Sequence, residues 1–240
     1  MSENSSYRII QNNEVATVYT DGNPLGTIAF SINPCHSEHT YLKLDLKDYE
    51  TSKAKGLFSA LKQKENKPFQ VMIDEQEENV ISFLCAAGFL CKRKCYEIEA
   101  SLCEYIGSYT TVKVPFASND STIYRECCEL MLERYITTHK SISPWTGSKQ
   151  QFFENLPNQV YYKMENQQIM HFAFVEDNEI AYVYGTSGNG FLNFAECLVN
   201  DLFLRYETVC FEADDCDVFA MQLKSLFDLK YCTSYDTYVL

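Results

Sequence analysis

The sequence predicts an α/β (α+β) protein with a mixed, mostly antiparallel sheet and flanking helices, present as a duplicated pattern. Three observations lead to this prediction. Short β-rich runs joined by turn residues alternate with segments whose apolar residues recur at helical spacing. The order of three strands, a helix, a strand, a helix and a strand occurs twice in 240 residues. A hydrophobic content of 46% supplies a packed core, which excludes disorder as the main state.

The first occurrence of the pattern opens with a hairpin. Val15–Tyr19 and Gly26–Ile32 flank an Asp21-Gly22 step, which is a strong hairpin signal between apolar alternating runs. Asn33-Pro34 ends the second run, and Tyr41–Leu46 alternates as a third strand. The further elements predicted here are a helix at Lys53–Lys64, a strand at Phe69–Ile73, a helix at Glu78–Ala87 ended by Gly88, and a strand at Cys95–Ile98.

The second occurrence carries extra segments before its first hairpin. The sequence predicts a strand at Tyr109–Val114, a helix from Asp120 or Ser121 to about Thr138, and a short helix at Lys149–Asn155. The repeated order then follows. Its predicted elements are strands Val160–Met164, Ile169–Val175 and Ile180–Tyr184, a glycine loop Gly185–Gly190, helix Phe191–Leu204, strand Thr208–Ala213, helix Val218–Phe227 and strand Tyr235–Leu240.

Charge and composition exclude several function classes. The formal net charge is −13, and residues 101–240, with 9 basic and 19 acidic side chains, account for −10 of it. Such a field repels phosphate backbones and anionic membranes, so we expect neither a nucleic-acid nor a membrane partner. Met1–Tyr7 is polar and no apolar run reaches the length of a membrane span. Eleven cysteines without a signal peptide favour a reducing cytoplasm over a disulfide framework.

The loop before the second long helix is the main candidate for a binding site. Gly185-Thr-Ser-Gly188-Asn-Gly190 places three glycines between a strand and a helix. Backbone N–H groups at a helix N-terminus bind anions, and glycines let a phosphate approach them closely. An ordinary strand-to-helix turn is equally compatible with these residues. The Gly185–Gly190 segment matches neither the glycine pattern of a Rossmann dinucleotide-binding loop nor that of a Walker phosphate-binding loop.

At these residues the chain resembles the GNAT family of acetyl-CoA-dependent N-acetyltransferases. Lys53-Ala-Lys-Gly-Leu-Phe58 is similar to the family's coenzyme loop, Arg/Gln-x-x-Gly-x-Gly/Ala, and residues 187–192 take that place in the second half. Glu78–Phe89 is similar to the family's fourth helix, which ends in Gly-Phe. The resemblance covers nearly the whole chain as two tandem units. It implies a shortened unit at residues 1–103 and a complete one at 104–240 with additional N-terminal helices.

The resemblance implies that acetyl-CoA is the acyl donor, that its diphosphate lies on the loop amides, and that no metal is needed. The second unit has more loop glycines and two extra helices to wall an acceptor site, so we assign the coenzyme to it. Some positions depart from the family. Ser187 replaces the leading Arg/Gln, Phe58 and Leu192 replace the last small residue, and Leu84 and Gln222 replace the tyrosine that protonates the departing thiolate.

Individual side chains complete the candidate site. Glu212, in the predicted strand Thr208–Ala213, is the candidate base, acting directly or through water; the alternative is a solvated carboxylate at a strand end. The candidate coenzyme-binding residues are Tyr182, Tyr184, Ser187, Gly188, Asn189, Gly190 and Phe191. Tyr182 and Tyr184 alternate on their strand and are candidates for lining the acceptor cleft as well; the alternative is ordinary strand aromatics.

Two other motifs point to chemistry less strongly. Cys35-His-Ser-Glu-His39 holds several possible metal ligands, but without a second half we expect a solvated loop. Trp145 either covers an acceptor site or anchors its loop, and we favour the anchor.

The sequence as a whole leads to two function hypotheses. The first is transfer of an acetyl group from acetyl-CoA to a primary amine; the second is a catalytically inactive tandem module that binds acyl-CoA or a protein partner.

Overall fold

The computed structural model describes residues 7–12 and 14–240. Contacts divide the chain into two compact units. The first comprises Met1–Lys94, Lys140–Thr146 and Tyr235–Leu240, and the second comprises Cys95–His139 and Gly147–Ser234. The domain division at residues 1–103 and 104–240 stays a prediction.

The first unit is a sheet with two helices. Its strands follow the order β1-β2-β3-β4-β5-β12-β6. The strands β4 and β5 run parallel, and the pairs β1–β2, β2–β3, β3–β4 and β5–β12 run antiparallel. The elements are β1 Tyr7–Asn12, β2 Val15–Thr20, β3 Asn23–Asn33, β4 His36–Leu46, α1 Thr51–Lys62, β5 Phe69–Asp74, α2 Glu78–Ala87, the first half of β6 Leu90–Ser101, and β12 Ser234–Val239.

Aromatic rings form the centre of the first unit's core. Phe58 of α1 is fully buried, and its ring centroid lies 4.8 Å from that of Phe89 and 5.9 Å from that of Phe83. Tyr238 of β12 belongs to the same cluster. Gly88 ends α2 with φ of 104°, a left-handed conformation that favours glycine. The bulky residue at position 58 is therefore explained by packing in this unit.

The second unit has helices on both faces of its sheet. Its strand order is β6-β11-β10-β9-β8-β7, with β10 and β11 parallel and the other neighbours antiparallel. The elements are the rest of β6, a 3₁₀ turn Leu102–Glu104, β7 Phe116–Ser118, α3 Thr122–His139, α4 Lys149–Glu154, β8 Gln159–Glu165, β9 Gln168–Glu176, β10 Glu179–Gly185, α5 Gly188–Phe203, β11 Thr208–Asp214 and α6 Val218–Lys224.

The two faces of this sheet bury different side chains because strand residues alternate. Helices α5 and α6 cover the face that carries Ala173, Val183 and Phe211. Helices α3 and α4 lie on the opposite face, where the ring of Tyr124 contacts that of Phe174 with centroids 5.5 Å apart. Residues on β10 therefore alternate between the two helical layers.

The structure confirms the mixed α+β class and the repeated element order. The series β2-β3-β4-α1-β5-α2-β6 recurs as β8-β9-β10-α5-β11-α6-β12. The predicted Asp21-Gly22 hairpin turn is present, and both residues have positive φ, at 51° and 82°. No helix in the described part of the chain is both long and apolar enough to cross a membrane.

Two predictions about local structure are wrong, and one strand was not predicted. Residues 109–114 form no strand; Tyr109 is 76% exposed, and the Val112 N–H is bonded by the Thr110 hydroxyl, which competes with sheet pairing. The sequence pattern did not predict β1, which pairs with β2. His36–His39 lies in β4 and is not a loop, because β3 pairs with β4 as far as Asn33 and His36.

Candidate functional site

The candidate site of the second unit begins where two parallel strands separate. β10 and β11 pair only through Glu179 with Cys210 and Ile180 with Phe211. β10 nevertheless continues to Gly185, and β11 continues to Asp214. The carboxyl ends of the two strands therefore diverge. A crevice at the carboxyl ends of parallel strands is a favoured place for ligands in α/β sheets.

Helix α5 begins at the end of β10, and only Thr186 and Ser187 connect them. The predicted loop Gly185–Gly190 is thus shorter than expected, since Gly185 ends the strand and Gly188 and Gly190 lie in the first helical turn. Ser187 occupies the N-cap, but its side chain makes no cap hydrogen bond. The first N–H groups of a helix lack intrahelical partners, and the helix dipole is positive there. This end of α5 therefore suits an anion.

Close packing explains why glycine occurs at two positions near the start of α5. A Cβ on Gly185 would lie 2.7 Å from the ring of Phe219, and one on Gly190 would lie 2.6 Å from Nε2 of His171 and 2.8 Å from Oγ of Ser187. Glycine is thus required at both positions whether or not a phosphate binds. The side chain of Asn189 lies outside the described part of the structure. At Gly190 this packing brings the imidazole of His171 and the hydroxyl of Ser187 close to the uncapped start of α5.

The aromatic candidates lie in two layers. Phe191 is fully buried and its ring centroid lies 5.0 Å from that of Phe219, so its side chain belongs to the core. Tyr184 stacks on Phe172 at 4.7 Å. Tyr182 lies on the α3 and α4 face, 6.2 Å from Phe152. Burial, and then the nearby charges of Glu212, Glu179 and Asp214, raise the pKa of Tyr182, which keeps its phenol protonated near neutral pH.

Glu212 lies in a groove that sequence reasoning did not predict. The groove has a volume of about 410 Å³ and runs over β6, β10 and β11. The thiol of Cys95 donates a hydrogen bond to Oε2 of Glu212 at 3.6 Å. Residues from three strands separated in sequence meet here, which no local pattern reveals. The lining consists of four carboxylates, Glu97, Glu99, Glu179 and Glu212, together with Ile98, Cys210 and Phe211.

Two side-chain pairs connect α3 to the end of β11 and to the start of α6. Arg134 donates to Asp217 at 2.6 Å, and its guanidinium lies 4.7 Å from the ring centroid of Phe219. Asp217 also accepts N–H bonds from the start of α6. His139 pairs with Asp214 at 3.3 Å and stacks on Tyr135. Arg134 thus compensates the charge of Asp217, and His139 gives Asp214 at the end of β11 a hydrogen-bond partner.

Gln222 lies at the position where the GNAT resemblance places a tyrosine. Its Oε1 atom is buried and has no hydrogen-bond partner among the described residues. The corresponding Leu84 of the first unit is fully buried. Neither side chain has a proton acidic enough to give to a departing thiolate.

The corresponding helix start in the first unit is less suited to an anion. Lys53–Phe58, which resembles the coenzyme loop, lies inside α1 and is not a loop. Glu50 occupies the N-cap, and its carboxylate pairs with the Lys53 ammonium at 2.7 Å. Tyr7 covers Gly56, at 3.5 Å from a Cβ placed there, and its hydroxyl donates to the Lys53 carbonyl. The Glu50 side chain makes no cap hydrogen bond, but its negative charge beside this helix start disfavours a second anion.

The Cys35–His39 segment serves packing within the first unit. Nδ1 of His36 lies 2.9 Å from the Ser143 carbonyl, and the His36 ring makes an edge contact with Trp145. The Thr146 N–H donates to the carbonyl of Cys35. These contacts support Trp145 as an anchor for its loop. Across residues 7–12 and 14–240, no group of side chains is arranged to hold a metal ion.

Comparisons with known proteins give similarity in structure only. No protein-family model matches the sequence, and no curated protein matches it. Among solved structures, a GCN5-related N-acetyltransferase from Sphaerobacter thermophilus is similar over 94% of this chain and 79% of its own, with a TM-score of 0.49 and 11% identity. A GCN5-related N-acetyltransferase from Kribbella flavida is similar over 97% of this chain and 89% of its own, with a TM-score of 0.48 and 11% identity.

A tandem GNAT protein from the clavulanic acid biosynthesis pathway is similar over 94% of this chain and 82% of its own, with a TM-score of 0.45 and 7% identity. The chain is thus similar to GNAT acetyltransferases over nearly its whole length. At such TM-scores and identities, we argue function from the geometry of the chain itself.

Proposed function

We propose that this protein is an acyl-CoA-dependent N-acyltransferase that transfers an acetyl group from acetyl-CoA to a primary amine, and that the second unit binds the coenzyme. The observation that carries the proposal is the diverging pair β10 and β11 with the uncapped start of α5 at its mouth. In the first unit, the corresponding helix start holds Glu50. We keep residues 1–103 and 104–240 as the proposed domains.

The proposed roles follow from position and chemistry. Backbone N–H groups of the first turn of α5, including those of Gly188, Asn189 and Gly190, hold the diphosphate, with Ser187 beside them. Tyr182 and Tyr184 line the diverging strands. The acidic groove attracts a protonated amine and orients it, because four carboxylates line its wall.

Bound acetyl-CoA supplies the acetyl thioester. Glu212 accepts, directly or through water, the proton that the ammonium group must lose before its nitrogen can attack the thioester carbonyl. As the N–C bond forms and the C–S bond breaks, the nitrogen releases a second proton to water and the departing thiolate takes one from water, because Gln222 has no proton acidic enough to give. Glu212 is exposed, so water can reach it.

Two substitutions at Ser187 test coenzyme binding without disturbing the fold. Asn and Asp are both good N-cap residues, and Ser187 is exposed, so Ser187→Asn and Ser187→Asp should both fold. Only Asp adds a negative charge at the anion site. We expect calorimetric titration with acetyl-CoA to show near wild-type affinity for Ser187→Asn and a loss of roughly tenfold or more for Ser187→Asp. Equal affinities would refute this site.

Turnover separates the enzyme from the inactive module. The replacement of the family tyrosine by Gln222 and Leu84 favours the second hypothesis, a module that binds acyl-CoA or a protein partner without turnover. Mass spectrometry of a panel of cationic and acidic amines is the suitable assay, because exposed Cys85, Cys91 and Cys103 would react with thiol reagents. We expect acetylation of cationic amines, and a lower kcat/KM for Glu212→Gln but not for Glu126→Gln on α3. Binding without any product would support the module.

Cytoplasmic location is part of the proposal. The structure places no disulfide among the eleven cysteines, all of which lie in its described part, and this suits a reducing compartment. Mass spectrometry of protein purified without reductant should find eleven thiols, and a native disulfide would contradict this location.

A further inference from the structure

His171 lies beneath the start of α5 and takes part in none of the roles assigned above. It lies on β9 directly opposite Gly185 of β10 and is 1% exposed. Its ring lies near those of Phe191 and Phe194, with both centroid distances 6.1 Å. Its Nδ1 atom is buried without a hydrogen-bond partner among the described residues. A buried polar side chain without a partner is unusual and calls for an explanation.

The ring is directed at the N-terminal end of α5. Every Cα–Cβ bond in a helix tilts toward the helix N-terminus. Nε2 of His171 lies 2.6 Å from the point where a Cβ on Gly190 would be, and Oγ of Ser187 lies 2.8 Å from the same point. Imidazole and hydroxyl thus both pack closely against Gly190 in the first turn of the helix. Glycine at position 190 lets the imidazole approach this end of the helix.

We propose that His171 is a proton-linked contact for the diphosphate bound at the start of α5, taking up a proton when the anion binds. This inference rests on the proposed function. It also explains how the second unit compensates for Ser187, which stands where the resemblance places a cationic or amide side chain. The proton comes from solvent, and no covalent bond changes.

Electrostatics of the free protein keep the ring neutral. Burial lowers the pKa of His171, the charge of Lys163 lowers it further, and Glu165 acts in the opposite direction. The positive end of the α5 dipole also disfavours an imidazolium at this place. A bound anion reverses the balance because it lies against both the ring and the helix end. Lys163 and Glu165 of β8 are the charged groups that act on the ring.

Calorimetric titration with dephospho-CoA at pH 8 and pH 6 tests the proposal. This ligand keeps the diphosphate but lacks the 3′-phosphate, a monoester that itself titrates near pH 6. We expect the affinity of the wild-type protein to rise fivefold or more from pH 8 to pH 6. At pH 7, titrations in two buffers of different ionisation enthalpy should show net proton uptake. A change in affinity below fivefold, or no proton uptake, would overturn the inference while leaving binding intact.

Two variants assign the effect to this histidine. His171→Gln keeps a polar side chain but cannot become charged, and we expect affinity that hardly changes with pH. His39→Gln is the matched control, because His39 in the first unit is also buried with an unpartnered Nδ1 and a pKa lowered by burial. It should behave as wild type. Equal pH dependence in His171→Gln and wild type would refute the proposal.

The wild-type measurements stand even if His171→Gln does not fold. Absence of acetyl-CoA and dephospho-CoA binding at both pH values would refute the proposed function, and this inference with it. Binding without pH dependence would refute the inference alone.

Discussion

Replacing Asp217 should destabilise the second unit in two separable steps. Its Oδ1 accepts N–H bonds from Phe219 at 2.9 Å and Ala220 at 3.4 Å, and it also receives the Arg134 guanidinium at 2.6 Å. Loss of an N-cap costs about 1 kcal/mol. The ion pair is only partly buried, with side chains 20% and 14% exposed, so its loss costs about 1–2 kcal/mol after allowance for solvent screening.

We therefore expect Asp217→Ala to lower the free energy of unfolding by about 2–3 kcal/mol and Tm by roughly 5–10 °C. Asp217→Asn keeps the N-cap, so it should lose only the part of the free energy that the ion pair with Arg134 contributes. Circular dichroism with heat and urea measures both, and a double-mutant cycle with Arg134→Met isolates the pair. A coupling energy near zero, or an effect of Asp217→Ala below about 0.5 kcal/mol, would refute this account.

Further expectations concern packing and pH. Gly185→Ala should cost about 1–3 kcal/mol because its Cβ meets the Phe219 ring, and Phe219→Leu in the same chain should recover part of the loss in thermal unfolding. Phe58→Ala should cost about 3–5 kcal/mol in urea unfolding, and Leu192→Ala, at the matching position but only half-buried, clearly less. Burial lowers the pKa of His39 and of His171, so their contribution to stability is full above about pH 6.5 and is lost as pH falls through their folded-state pKa values. Urea unfolding from pH 8 to 5 should show this fall in the free energy of unfolding, and the fall should be less steep in His39→Gln.

Local signals in the sequence predicted the elements that local chemistry determines. The Asp21-Gly22 turn and the left-handed Gly88 depend on backbone conformation within a few residues. Their patterns therefore identify them without knowledge of the rest of the chain.

Features that depend on distant residues could not be predicted in this way. The strand β1 is defined by its pairing with β2, and the acidic groove by the meeting of β6, β10 and β11. His171 occurs in an apolar run that predicts only a buried strand. Its importance comes from Gly190, nineteen positions later and on another element, so no spacing rule connects them.

The final strand has a consequence for how the protein is made. β12 pairs with β5 along Tyr235–Val239, and Tyr238 enters the core that Phe58 and Phe89 share. A ribosome must therefore synthesise β12 before the first unit can complete its sheet, and until then one edge of β5 stays unpaired. Deletion of Tyr235–Leu240 would thus destabilise a unit whose other strands are synthesised much earlier.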